Sequence, residues 1–264
     1  MTMSAGYSRS FAPSAATPAI RTIDTQDVLD ALREGWRDFS LNPTHYIFMG
    51  LLFPFIGAVM IMAFSGVNLL PLVFPAVTGF ALVGPFAALG TYEISKRREA
   101  GRDPTWEDAR EVIHSPAIGG IFRLGLLLCA IFAAWMFTAY AMYGAVVGPY
   151  EPLSAGAFVQ NVLTTPQGWM LIAVGNVVGF CFAVLALAIS VVSFPLLLDR
   201  NVSVSTAVRT SVQAVAANPG PMALWGLIVA ALLFLGALPA LVGLAVVVPV
   251  LGHATWRLYR KVVA

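Results

Sequence analysis

Val28-Leu29-Asp30-Ala31-Leu32-Arg33 recurs as Val204-Ser205-Thr206-Ala207-Val208-Arg209, and at the same offset Asn42-Pro43 recurs as Asn218-Pro219. Val28, Leu32, Trp36 and Phe39 correspond to Val204, Val208, Val212 and Val215. That spacing of four, four and three predicts the apolar stripe of an amphipathic helix. Pro drives the preceding residue out of the α region and fits the first turn of a new helix. Asn42 and Asn218 therefore read as N-caps of the helices that follow. A shorter copy begins at Thr105-Trp106-Glu107-Asp108, an N-cap with an acidic residue three positions on, and ends at Ser115-Pro116.

The far end of the unit repeats too. Pro85 is followed by Thr91-Tyr92 and Lys96-Arg97, and Pro249 at identical offsets by Thr255-Trp256 and Arg260-Lys261. Pro195 holds the corresponding place in the middle copy. The unit is an amphipathic helix, a break at Pro116, Pro43 or Pro219, an apolar span, a tight turn, a Pro-containing span and a basic exit. It occurs three times, over about 25–98, 104–200 and 203–261. Pro85, Pro195 and Pro249 should each kink the helix that holds them.

Composition places this repeat in a membrane. The chain is 59% hydrophobic and 11% charged, with mean hydropathy +0.82, where soluble domains carry about 25% charged residues. The expected fold is all-α, a polytopic membrane protein of six transmembrane helices arranged as three hairpins, each preceded by an interfacial helix. The spans run roughly Tyr46–Phe64, Leu69–Ile94, Ile118–Val147, Gly168–Leu198, Met222–Leu235 and Leu238–Tyr259. The last two form a tight hairpin with a turn of two to four residues. All fifteen Lys and Arg fall in alternate non-membrane stretches or within one turn of them. The positive-inside rule puts those stretches and both termini in the cytoplasm of a bacterial inner membrane. Residues 1–22 are rich in Ser, Ala and Pro and read as a disordered cytoplasmic tail, with 23–264 the membrane domain.

Few residues suggest chemistry. His45, His114 and His253 lie on one side of the membrane without the spacing that puts two imidazoles on one helix face, so no metal site is expected. Cys129 and Cys181 sit mid-span and read as small apolar residues. Nucleophile elbows, phosphate loops and zinc-protease motifs are not found, and no cofactor is expected. Net charge is +2, and the basic residues serve topology rather than nucleic acid. The candidate functional polar residues are Glu93, Arg257, His253 and Asn176. Glu93 and Arg257 both lie eight residues after a repeat Pro, so an ion pair between them would close the ring of repeats. Asn176, within Gly175-Asn176-Val177-Val178-Gly179, should make an interhelical hydrogen bond on a small-residue packing face.

The helix Ala31-Leu32-Arg33-Glu34-Gly35-Trp36-Arg37-Asp38 with Asn42-Pro43, and Gly84-Pro85-Phe86 leading to Gly90-Thr91-Tyr92-Glu93 and Arg97-Arg98, resemble a family of bacterial integral membrane proteins, domain of unknown function 2189. The resemblance covers roughly residues 25–260. It implies a membrane protein without an assigned biochemistry. Some members carry a label relating them to the largest subunit of cytochrome c oxidase, but this chain lacks the embedded His ligands of a haem–copper centre.

Two functional readings follow. One is a non-enzymatic inner-membrane protein acting through lipid and protein contacts, an accessory or assembly factor of a respiratory membrane complex. The other is a transporter or channel for a small or apolar solute along the pseudo-threefold axis, with a cavity lined by Asn176, Thr78 or Ser190. The lack of charge at mid-membrane argues against ion coupling.

Overall fold

Helix α1, Thr25–Leu41, opens on a reciprocal cap in which Asp24 Oδ1 accepts from the Asp27 amide at 2.9 Å and Asp27 Oδ2 accepts from the Asp24 amide at 3.1 Å. The structure is a computed structural model and describes residues 18–41, 70–80, 88–105, 111–148, 154–239 and 241–264, with the single positions 55, 59, 62, 84 and 108. The chain is all-α. The further helices are α2 Leu70–Phe80, α3 Leu89–Glu99, a 3-10 turn Glu111–His114, α4 Ile118–Val146, α5 Ala155–Thr164, α6 Pro166–Ser190, α7 Ser193–Asp199, α8 Val204–Ala217, α9 Pro219–Ala237 and α10 Leu244–Val262.

Among the described residues, three helices are long and apolar enough to cross a membrane: Ile118–Val146, Pro166–Asp199 and Pro219–Ala237. Their outward side chains, among them Phe137, Phe180 and Phe234, are exposed as lipid-facing residues would be. The expected first span, Tyr46–Phe64, apart from positions 55, 59 and 62, and the repeat residues Asn42, Pro43 and Pro85 lie outside the described residues. The expected sixth span is divided in character. Its apolar part ends near Gly252, and from His253 onward α10 is buried among charged and aromatic neighbours.

Local chemistry explains the boundaries. Thr165 caps α6 by accepting from the Gly168 amide at 3.0 Å, with Pro166 at the first helical position. Helix α6 breaks at Val191–Val192 before Pro195, whose ring crowds the carbonyl four residues back. The Val192 amide donates to Ser211 Oγ of α8 at 3.2 Å. Helices α9 and α10 contact each other, and α9 ends at Ala237 while α10 begins at Leu244, a wider interval than the two to four residues expected. Gly236 and Gly243 meet there so closely that a Cβ on Gly243 would sit 2.7 Å from the Gly236 carbonyl oxygen.

In the amphipathic helices the expected apolar stripe is partly buried, and the most buried positions include small residues beside it. In α1 the buried set is Val28, Ala31, Gly35, Asp38 and Phe39, while Trp36 is 55% exposed. In α8 it is Ala207, Thr210, Ser211 and Ala214, while Val212 of the valine stripe is exposed. Ala31, Gly35 and Asp38 stand at the same offset from Ala207, Ser211 and Ala214. Small residues let helix backbones approach, and against lipid that approach, rather than apolarity, distinguishes a packing face.

Helix α8 lies on α7, the Glu111–His114 turn on α3, and α1 along α10; α3, α7 and α10 contact one another. The first two pairs are neighbours in sequence. The third joins the two ends of the chain, antiparallel, and is sealed by Ile20 bridging Val263 and by the Ala264 amide donating to Ala19 O at 3.0 Å.

Candidate functional site: an ion-paired cap

Where α1, α3, α7 and α10 converge, charged side chains from all four are packed together. Asp38, 5% exposed, accepts from Arg257 Nε at 2.9 Å and Nη2 at 3.1 Å. Arg98 donates to the Asp38 main-chain carbonyl. Arg257 also lies 3.7 Å from Glu34. On the opposite flank of α10, Arg260 reaches Glu99 at 3.0 Å and Asp199 at 3.4 Å, Trp256 Nε1 donates to Glu99 at 3.2 Å, and Tyr259 donates to Asp199 at 2.7 Å. Lys261 meets Asp27 at 3.4 Å, and Lys96 donates to the Leu198 carbonyl at 2.7 Å. These bonds tie each exit segment to its neighbours. Buried charges are tolerated when paired in this way.

Glu93 and Arg257 do not pair. Glu93 accepts from Arg97 at 2.7 Å, one turn along its own helix, and Arg257 is taken by Asp38. Arg97 also donates to Asp108 and Glu111, so three carboxylates surround one guanidinium and raise its pKa, the Glu93 bond most of all. The Asp108 carboxyl is held below its ordinary value, first by the Thr105 amide, which donates to it at 2.6 Å, and further by the charges of Arg97 and Arg102. The Thr105 hydroxyl also donates to the Asp108 carboxylate, at 3.1 Å, and the helix expected to follow lies mostly outside the described residues. Glu93, Lys96, Arg97, Glu111, His114 and Ser115 line an open groove of about 500 Å³ here.

His253 is fully buried, its Nδ1 2.6 Å from Ser95 Oγ, with the proton's position set by the tautomer. His114 is exposed at the groove, and His45 lies outside the described residues. Among the described residues no group of three His, Cys, Asp or Glu is placed to hold a metal. Asn176 is exposed on α6 and donates to the Ile172 carbonyl of its own helix at 2.7 Å, so the interhelical bond is not made. Of its flanking glycines, Gly179 packs against Trp135 and Gly175 faces open space. Asn218 stands at the N-cap position of α9, yet its side chain does not cap. Oδ1 accepts from the Ile23 amide at 2.8 Å, and Nδ2 donates to Arg21 O and Ala214 O at 3.1 Å, pinning the N-terminal segment. Pro219 is the first helical residue, Pro195 and Pro249 are buried, and Pro116 is exposed.

Asp38, Arg98, Glu99 and Asp199 were not anticipated as site residues. For Asp38 a signal exists: it continues Ala31 and Gly35 at spacings of four and three, so an acid shares the stripe of small residues that permits closest approach.

Apolar exposed helices under a charged, densely bonded cap define an integral membrane protein. Residues 73–199 match the model of the family described as predicted integral membrane protein (DUF2189), the family that the sequence resembles. No curated protein and no solved structure gives a significant match to the chain.

Proposed function

We propose that this chain is a non-enzymatic protein of a bacterial inner membrane that acts through lipid and protein contacts, as an accessory or assembly factor of a larger membrane complex such as a respiratory one. The observation that carries this reading is the cap. Its acids Asp38, Glu93, Glu99 and Asp199 are each bonded to a cation of the same chain, the arrangement of a rigid scaffold. Six spans built as three repeats, with both termini cytoplasmic, belong to the same proposal. Its support is the packing of α8 on α7, of the Glu111–His114 turn on α3 and of α1 on α10, the last a pair that a closed ring would bring together. Transport along the repeat axis has less support, because Thr78 and Asn176 are exposed and bonded within their own helices. Purification from native membranes in mild detergent tests the scaffold role. Reproducible partner proteins are expected, and a chain that repeatedly emerges alone overturns it.

A further inference from the structure

Between α1 and the α9–α10 hairpin runs an apolar groove of about 350 Å³, walled by Leu32, Leu232, Val247 and Val250, with Arg33 and Trp36 at its rim. Its position is set by the antiparallel docking of α1 on α10, which stops at Phe39 and Val250 and, among the described residues, leaves the outer side of α1 uncovered. Three features point to one kind of occupant. The walls come from the membrane hairpin and offer nothing to a water-soluble ligand. Trp36 is a half-exposed indole at the mouth, where tryptophan commonly marks the boundary between acyl chains and headgroups. One turn beyond Arg33, exposed Arg37 has no ion-pair partner among the described residues, and the one partner of Arg33, Asp30 at 3.0 Å, is an exposed pair of small worth.

We propose that this groove binds an anionic glycerophospholipid, one acyl chain lying along Leu232 and Val247 and the phosphate held by Arg33 and Arg37. The proposal rests on the reading of the chain as a protein of lipid and protein contacts, and it supplies the lipid class. An acyl chain gains by filling an apolar void that bilayer lipids otherwise span loosely, and the guanidiniums select charge at the headgroup.

The test is native mass spectrometry of the full chain released from nanodiscs of equal phosphatidylglycerol and phosphatidylcholine. One retained phosphatidylglycerol is expected. The double variant Arg33→Gln, Arg37→Gln should lower that preference by about 30-fold, at about a factor of 5 for each cation near an anionic surface. Val247→Phe, which fills the groove, should lower retention of both lipids. Both arginines are exposed, so an unchanged thermal midpoint separates lost binding from lost folding. Equal retention of the two lipids by the native chain overturns the proposal, and so does an unchanged preference in the arginine variant. The first of these is also the result expected if a partner's helix occupies the groove. The wider reading fails separately, on the partner list from native membranes.

Discussion

Gly35 of α1 and Ala254 of α10 touch backbone to backbone: a Cβ built on Gly35 would stand 2.5 Å from the Ala254 amide nitrogen. The nearest atoms cannot swing aside as a side chain would. Gly35→Ala should therefore cost about 1–3 kcal/mol, as overpacking of a tight interface does, and lower the thermal midpoint in detergent. Gly175, with nothing within 4 Å of its ideal Cβ, is the control. Gly175→Ala should be neutral or stabilising, since alanine is preferred in a helix interior by about 1 kcal/mol.

Asp38 accepts from Arg257 at both oxygens, and its Oδ1 also lies 3.9 Å from Arg98 Nη1. Removing this acid leaves two guanidiniums crowded in the cap with less countercharge. Asp38→Ala should cost about 3–5 kcal/mol, the usual penalty for breaking a buried pair from one side. Arg257→Met in the same background should recover part of it. Thermal unfolding of the single and double variants measures the coupling directly, and additive losses would show that the pair does not act as one unit.

The Asp108 cluster gives the cap an acid-sensitive corner. The folded carboxyl titrates below its ordinary value of about 3.9, so its stabilising contribution is complete above that value and disappears as pH falls through the depressed one. The protection of the Thr105 amide, its exchange measured against the intrinsic rate at the same pH, should fall on acidification below that value, as the carboxylate that accepts from it is protonated. In Asp108→Asn, exchange there should already be faster at neutral pH and should lose this added response to acid.

How far the sequence could be read depends on which forces each element answers to. Runs of apolar residues must satisfy their backbone bonds internally, so α4, α6 and α9 were legible from length and hydropathy alone. The contact between Thr105 and Asp108 and the helical start at Pro219 were legible because they depend on neighbours in the chain. The docking face of α8 was not. Val204, Val208 and Val215 of the conspicuous stripe pack only partly against the core, while the fully buried positions beside them include Ala207, Ser211 and Ala214, small residues that apolar periodicity does not single out. The pairing of Glu93 was misread for a related reason: equivalent positions in a repeat share surroundings, whereas Arg97 was one helical turn away.

Asn218 links chain segments nearly two hundred residues apart, through the Ile23 amide and the Arg21 carbonyl. Replacing it with Ala strands a buried donor and two acceptors. At about 1–3 kcal/mol for an unsatisfied buried group, Asn218→Ala should destabilise the chain measurably and expose Arg21 to trypsin under native conditions. Unchanged cleavage would mean that the bridge between Ile20 and Val263 suffices to hold the segment.

The membrane topology is the most exposed prediction. Charge in the loops alternates without a balanced case, so reporters fused after Leu69, Pro152 or Gly236 should read periplasmic, and those after Gly101, Arg200 or Ala264 cytoplasmic. The cap supports the second set, because Arg200 Nη2 donates to the Ala264 carbonyl at 2.6 Å and the two points must share one side of the membrane. Helix α5 bears on the first set. It is capped by Ser154, leaves Val159 and Leu163 exposed and lies at the opposite end of α4 and α6 from Arg123 and Asp199. A fusion after Pro152 that reads cytoplasmic would break the six-span arrangement and with it the repeat. A fusion after Gly101 that reads periplasmic would be harder to reconcile still, since Lys96 is bonded to the Leu198 carbonyl beside Arg200.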